Sequence, residues 1–295
     1  MRHLTLIALA ACTTTPSEPD DSSGADASSD DLPHDTGVPD DSDDDDTAPS
    51  DTDSAAPVDT DTDLDSDTPS PLGGTVVSAS GAPLGPDVVT MRYCRPAGCL
   101  VTDQATGTWG LTDLPPGIGS IEAVDVGGGP RLATFSVPYT LGPGGRTDLV
   151  VRVPEITEVA SLTSTPTTLV TGPARFQVAR LGAFTAAGGL GTVATEVGAV
   201  AIAPADLPVI EAIEGEVLGA ILLHPFDHLV GGGARVEVLN QWGLQPREGE
   251  LWVSIYDEAR WVRVDDLAYS SGSWLKTDTT LPRTGTLLVV RPPAP

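Results

Sequence analysis

The sequence predicts an all-β fold in which two β-sandwich-like domains follow a disordered acidic linker. Two observations support this. Glycine and proline recur every few positions across residues 72–295, with short runs rich in Val, Thr, Leu and Ile between them, a spacing typical of antiparallel sandwiches. Residues 13–71 hold 20 of the 42 acidic side chains and no lysine or arginine. We therefore divide the chain into a signal segment (1–11), a linker (12–71) and two β-rich domains (72–153 and 154–295).

The first eleven residues predict an export signal. Arg2 supplies a positive start, residues 4–11 form an apolar run, and small residues precede Cys12. This run is too short to span a bilayer as a permanent helix. The motif LAAC at 9–12 resembles the lipobox of bacterial lipoproteins, in which the signal is cut before the cysteine and the cysteine is acylated.

The lipobox resemblance implies that Cys12 is lipidated and anchors the protein to a membrane. Several acyl chains hold a protein far more firmly than one. Thr13 is not the aspartate that retains such proteins in the inner membrane of enteric bacteria, so we expect the outer membrane, with the protein facing the periplasm or the cell surface. The alternative is an ordinary signal peptide and simple secretion.

The linker cannot bury enough apolar surface to offset the entropy of ordering, and its charges repel one another. We interpret it as a tether. Within it, DTDTDLDSD at 59–67 alternates aspartate with small residues, as calcium loops do, but it lacks the glycine and closing glutamate of an EF-hand loop. Residues 72–295 keep 22 acidic side chains against 14 basic ones. Because no basic stripe is present, we expect no nucleic-acid partner.

Seven runs in the folded part predict strands: VVTMRY at 88–93, SIEAVDV at 120–126, TDLVVRV at 147–153, ARVEVL at 234–239, ELWVSIY at 250–256, RWVRV at 260–264 and TLLVVR at 286–291. The most helix-like stretch is LPVIEAIEGEVLGAILL at 207–223. Gly215 and Gly219 interrupt it, and it is equally consistent with two strands.

The first β-rich part carries GGTVVSASGAPLGPDVVTMRY at 73–93 and ATGTWGLTDLPPG at 105–117. These motifs resemble the carboxypeptidase regulatory-like domain. The resemblance implies a transthyretin-like β-sandwich that serves as a spacer or adhesion module without chemistry of its own. Strand alternation places Trp109 and Leu111 on one face, and Pro115 and Pro116 end the strand because neither donates a backbone hydrogen bond.

The second β-rich part carries VATEVGAVAIAPADLP at 193–208, followed by a proline-led strand and a tryptophan-containing hairpin over 223–264. The pattern resembles ZU5-like β-domains. This resemblance implies a β fold and transfers no functional residues.

Cys94 and Cys99 flank a Pro-Ala-Gly turn in YCRPAGCLV. An exported protein enters an oxidising compartment, and once Cys12 is lipidated these are the remaining two cysteines. We expect a disulfide that closes a hairpin. The alternative is a two-cysteine metal or redox site, which the lack of a nearby histidine disfavours for zinc.

Other motifs give little support for catalysis. HPFDH at 224–228 places two histidines and an aspartate together, but Pro225 opposes the helix that would align His224 with His228 on one ion. We interpret this segment as a polar loop. GLGTVA at 189–194 lacks the strand and helix of a dinucleotide site. No GxSxG motif occurs. We therefore expect no catalytic residues, no metal and no cofactor.

The strongest binding candidate is an aromatic face. The runs at 250–256 and 260–264 predict a hairpin that pairs Tyr256 with Trp261, Ser254 with Arg263 and Trp252 with Asp265. Its aliphatic face belongs to a core. The other face presents Trp252, Tyr256, Trp261 and Arg263, which are either packed under another sheet or exposed as a platform for sugar or peptide.

Together these observations favour a membrane-anchored lipoprotein of the cell envelope with a structural, adhesive or ligand-binding role and no catalysis. Its expected partners are the membrane, through the N-terminal lipid, and an envelope glycan or protein. The alternative is an envelope carbohydrate-binding or carbohydrate-processing protein with its site in 154–295. The sequence does not indicate an oligomeric state.

Overall fold

The computed structural model describes residues 69–127, 129–188, 192–208, 210–211 and 213–293. These residues belong to one compact unit, Thr60–Pro295. The predicted signal segment, the lipidation site Cys12 and the acidic stretch 59–67 lie outside the described residues. Within the described part, regular structure is almost entirely β, with two short 3₁₀ turns at Pro204–Asp206 and Tyr256–Glu258.

The first sandwich contains eight strands in two four-stranded sheets, ordered β4-β5-β1-β8 and β3-β2-β6-β7. Strand β1 pairs antiparallel with β5 and parallel with β8. The strands are β1 (Ser70–Ser78), β2 (Val89–Arg95), β3 (Gly98–Val101), β4 (Asp103–Ala105), β5 (Thr108–Leu114), β6 (Gly117–Asp125), β7 (Phe135–Leu141) and β8 (Arg146–Val153).

The core of the first sandwich follows from strand alternation. Met91 and Tyr93 of β2 and Ile121 of β6 point inward and are fully buried. Trp109 is buried in the same core and donates its ring N–H to the carbonyl of Thr75 at 3.3 Å. Leu111 packs against this core as well, so the shared face predicted for these two residues of β5 is confirmed.

The second sandwich places a five-stranded sheet, β10-β11-β16-β20-β19, against a six-stranded sheet, β18-β17-β21-β14-β13-β9, with a separate β12-β15 pair. The strands are β9 (Val159–Ser161), β10 (Thr167–Thr171), β11 (Ala174–Ala179), β12 (Phe184–Ala186), β13 (Glu196–Ile202), β14 (Glu216–His224), β15 (His228–Val230), β16 (Arg235–Leu239), β17 (Glu250–Ile255), β18 (Arg260–Asp266), β19 (Ala268–Ser271), β20 (Trp274–Lys276) and β21 (Thr286–Arg291).

The central strands β14 and β21 of the six-stranded sheet are buried on both faces. In β21, Leu287 and Val289 pack in the core of the second sandwich, whereas Leu288 and Val290 join the core of the first. A strand that is buried on both faces carries apolar side chains on both, which explains the unbroken apolar run LLVV at 287–290. One layer of strands therefore serves two cores.

The predicted all-β class with two sandwich-like parts is confirmed, and a strand lies on each of the seven predicted runs. The described residues of the stretch 207–223 contribute to one strand, β14, and form no helix. Among the described residues no helix is long and apolar enough to cross a membrane. The first sandwich ends at Val153. Because this sandwich shares a core with β21, independent folding of 72–153 and 154–295 stays a prediction.

The predicted register of the β17–β18 hairpin is wrong. Trp252 lies opposite Arg263, and Ser254 lies opposite Trp261. The turn lies one residue earlier than predicted, because Tyr256–Glu258 form a 3₁₀ turn and Ala259 takes a left-handed conformation with φ 49°. Trp252, Trp261 and Arg263 nevertheless share a face, because the shift changes the pairing by an even number of residues.

Candidate functional site

The edge of the first sandwich at β7 is closed by side chains from the second half of the chain. The Ser136 N–H donates to the Thr286 hydroxyl at 3.2 Å, and the Thr140 N–H donates to the Glu211 carboxylate at 2.9 Å. Pro138, between them, has no N–H to satisfy. The outward N–H groups of β7 are therefore satisfied without a neighbouring strand.

One cavity lies beside this edge, and a second lies beside the end of β21. The first, of about 180 Å³, is lined by Tyr139, Glu211, Arg260 and Trp261 together with Ile118, Pro138, Thr140 and Ala259. The second, of about 330 Å³, is lined by Glu214, Glu250, Trp252, Arg263, Pro292 and Pro293.

The two cavities are neighbours along β18. Trp261 lines the first and Arg263 the second, and alternate residues of a strand lie roughly 7 Å apart on one face. Glu211 and Glu214, from the segment before β14, border one cavity each. We call the two cavities together the junction groove. Residues of both sandwiches line the first cavity, and residues of 154–295 alone line the second.

Glu250 fixes the orientation of two groups in the groove. It accepts a hydrogen bond from the Trp252 ring N–H at 3.0 Å and a charge-assisted one from Arg263 Nε at 2.8 Å. The hydrogen bond to Glu250 raises the pKa of Arg263. The ring and the guanidinium are thus held at a defined distance before any ligand arrives.

The structure brings together three of the four predicted ligand-binding residues: Trp252, Trp261 and Arg263. Trp261 is only 7% exposed because it is packed in the core, whereas Trp252 is partly exposed. Ligand binding by Trp252, Tyr256, Trp261 and Arg263 stays a prediction. Tyr139 and Glu211 also line the groove, but they are far from β18 in sequence and no motif marked them.

Tyr256 does not line the groove. It belongs to a group of contacts between the first sandwich and the second, which we call the polar seam. Its ring contacts Phe226 with centroids 5.8 Å apart, and its carbonyl accepts a hydrogen bond from the Ser120 hydroxyl at 3.2 Å. Nearby, Arg283 Nη1 lies 2.9 Å from the carboxylates of both Asp227 and Asp257.

The HPFDH segment forms part of this seam as a polar loop. His224 Nε2 lies 3.6 Å from Glu196, whereas His228 donates from Nδ1 to the Phe226 carbonyl at 2.8 Å. Burial lowers the pKa of His224. The two histidines therefore have separate partners, and no metal cluster among the described residues includes either of them.

Two carboxyls of the seam have raised pKa values. Burial raises the pKa of Glu122 although Arg92, 2.8 Å away, favours its charged form. Burial likewise raises the pKa of Asp227 against the opposing effect of Arg283. The folded protein therefore binds these protons more tightly than the unfolded chain does. Both carboxyls disfavour folding at pH 7; this penalty begins to shrink as the pH falls through their folded pKa values and is gone below their unfolded ones.

We expect the free energy of unfolding of Glu122→Gln to gain less on acidification from pH 7 than that of the parent, because glutamine cannot take up the proton. Denaturant unfolding at a series of pH values measures this. Glu216→Gln, which removes an exposed carboxylate paired with Arg291, is the control. Curves for Glu122→Gln that run parallel to those of the parent would contradict the assignment.

The predicted disulfide is present. Cys94 of β2 and Cys99 of β3 face each other directly across the strand pair, and their sulfurs are 2.07 Å apart. Cys94 is fully buried, whereas Cys99 is exposed on the edge strand.

The side chains of the junction groove hold one another in place. Glu250 is occupied by Trp252 and Arg263, and Glu211 accepts the Thr140 N–H. These carboxylates orient neighbouring groups, and a partly exposed ring with a fixed guanidinium can stack on a ligand and hydrogen-bond to it. Comparison with known protein families and with curated proteins finds no match to this chain.

Proposed function

We propose that the protein is a lipid-anchored protein of the bacterial outer membrane whose folded unit has a structural, adhesive or ligand-binding role without catalysis. The observation that carries the binding role is the pairing inside the junction groove. Glu250 holds both Trp252 and Arg263, so the groove presents a preorganised surface. Preorganisation lowers the entropy lost on binding.

The proposed anchoring rests on the LAAC motif at 9–12 and on the acidic segment that follows it. The Cys94–Cys99 disulfide is consistent with export, because disulfides persist in oxidising compartments. The carboxypeptidase regulatory-like character of 72–153 remains part of this proposal and would make that sandwich a spacer between membrane and groove.

Metabolic labelling with a palmitate analogue tests the anchor. We expect the parent to carry the label and to sediment with membranes, and Cys12→Ser to lose the label and remain soluble, because Cys12 is the proposed acylation site. Cys99→Ser, which removes a different cysteine, is the matched control and should keep the label. A Cys12→Ser variant that is labelled as strongly as the parent would contradict lipidation and leave simple secretion.

A second candidate function is carbohydrate binding in the junction groove. The combination that favours it is a partly exposed tryptophan, Trp252, beside Arg263 and the carboxylates of Glu214 and Glu250, since sugars are recognised by ring stacking together with charged hydrogen bonds.

A glycan screen with the full chain tests the carbohydrate candidate. For any glycan that binds, we expect Arg263→Met to lower the affinity by at least about tenfold, because a hydrogen bond to a charged group is lost. Arg235→Met, which removes an exposed arginine from β16 of the five-stranded sheet, should bind like the parent. Equal loss in both variants would place the glycan elsewhere, and release of cleaved sugar would instead indicate carbohydrate processing.

A further inference from the structure

The disulfide lies beside a buried carboxylate. Glu122, on β6, has a side chain only 2% exposed and forms an ion pair with Arg92 at 2.8 Å. Its oxygen Oε2 lies 3.4 Å from Cys94 Sγ. One ligand atom from each of Cys94, Cys99 and Glu122 lies within 4.8 Å of the others.

The contact between Cys94 and Glu122 changes character on reduction. In the disulfide neither sulfur carries a proton, so two electron-rich atoms face each other at 3.4 Å without a hydrogen bond. In the dithiol, Cys94 gains a proton that it can donate to Glu122. A metal ion between the three groups would replace both protons and satisfy the sulfurs and the carboxylate together.

We propose that reduction of Cys94–Cys99 opens a zinc-class metal site whose ligands are the two thiolates and the Glu122 carboxylate. The reductant is a dithiol. One of its thiolates attacks the exposed sulfur of Cys99, Cys94 leaves as a thiolate, and the second thiol of the reductant closes a cyclic disulfide and releases Cys99. The protein then holds two thiols, which give up two protons when the divalent cation binds.

The charges of the site support a divalent cation. Two thiolates and the Glu122 carboxylate carry three negative charges, which a divalent ion and the Arg92 guanidinium neutralise together. The oxidised site is neutral as well, because Arg92 alone balances Glu122. The buried region thus passes between the two states without leaving an uncompensated charge, which is the main cost of burying ions.

The three ligand atoms lie close enough to share one zinc ion once reduction lets the two sulfurs move apart. Zinc binds cysteine sulfur at about 2.3 Å and carboxylate oxygen at about 2.0–2.2 Å, so tetrahedral ligand atoms stand roughly 3.5–3.8 Å apart. The three protein atoms already lie within 4.8 Å of one another. Cys99 lies on the exposed edge strand β3, which gives the reductant access and leaves the fourth position for water.

Zinc titration of the full chain carrying Cys12→Ser tests the proposal, because Cys94 and Cys99 are then its only thiols. The protein is compared in its oxidised and dithiol-reduced forms, freed of reductant, with Zn²⁺ alone as the probe. Any zinc bound by the acidic N-terminal stretch is the same in both forms, so the difference between the two titrations reports on the cysteines. We expect one additional zinc per reduced chain, competition by Cd²⁺, and a cadmium–thiolate absorption band only after reduction.

Single substitutions distinguish the loss of a zinc ligand from the loss of the fold. Cys99→Ser, at an exposed position, should keep the fold and abolish the additional zinc. Glu122→Gln should keep the thiolate band but bind zinc roughly tenfold or more weakly, since loss of even an indirect partner of a metal commonly costs this much. Glu216→Gln should bind as the parent does. Equal zinc binding in the oxidised and reduced forms would overturn the site, and parental affinity in Glu122→Gln would overturn the role of the carboxylate.

Discussion

Gly74→Ala should abolish the native fold or cost about 3 kcal/mol or more of unfolding free energy. Gly74 lies in β1, between β5 and β8, and an added Cβ would lie 1.9 Å from the carbonyl oxygen of Leu149 and 2.7 Å from its carbon. Overpacking usually costs about 1–3 kcal/mol when side chains can move aside. Here the obstacle is backbone in a paired strand, so the strands must separate.

Denaturant unfolding followed by circular dichroism measures this loss. Gly142→Ala is the control, because an added Cβ there meets nothing within 4 Å and the residue is not in a left-handed conformation. Its effect should stay within about 0.5 kcal/mol. If Gly74→Ala were as stable as Gly142→Ala, the close parallel pairing of β1 with β8 would be disproved.

Trp261→Ala should destabilise both sandwiches at once, by about 3–5 kcal/mol, the range for truncating a buried tryptophan. Trp261 belongs to β18 of the second sandwich, yet it packs in the core cluster that contains Tyr93, Phe135 and Val137 of the first. Amide hydrogen exchange measures the stability of each sandwich separately. Amides of β7 should open faster in the variant, together with those of β17.

The matched control is Trp274→Ala, which removes a tryptophan from the five-stranded sheet, where it lies under the Arg175 guanidinium. Exchange in β7 should not respond to it. Trp261→Phe should lose less than Trp261→Ala because a ring remains in the core. Unchanged exchange of β7 in Trp261→Ala would mean that 72–153 and 154–295 unfold separately, as two independent domains.

Local patterns in the sequence predict the strands well because alternation and turn residues act over a few positions. They do not predict the turn of the β17–β18 hairpin, because the left-handed residue there is Ala259, a residue type that rarely takes positive φ. A glycine at this position would have indicated the register.

The junction groove is predicted only in part. Trp252, Trp261 and Arg263 share a face by strand alternation, and a single hairpin is enough to bring them together. Tyr139 and Glu211 join them through contacts between distant parts of the chain, and one sequence holds no information on such pairs. Similarly, Cys94 and Cys99 are predicted as partners, whereas Glu122 beside them depends on the β2–β6 register.

The closure of β7 bears on how closely copies of this protein can be packed. Molecules tethered to one surface meet repeatedly at high local concentration, and an open strand edge in that setting seeds polymerisation by strand addition. At β7 the outward amides are bonded to Thr286 and Glu211, and Pro138 offers none. In the proposed membrane-anchored form, neighbouring copies would find no free backbone N–H along this edge of β7 to pair with, so crowding need not lead to fibres through it.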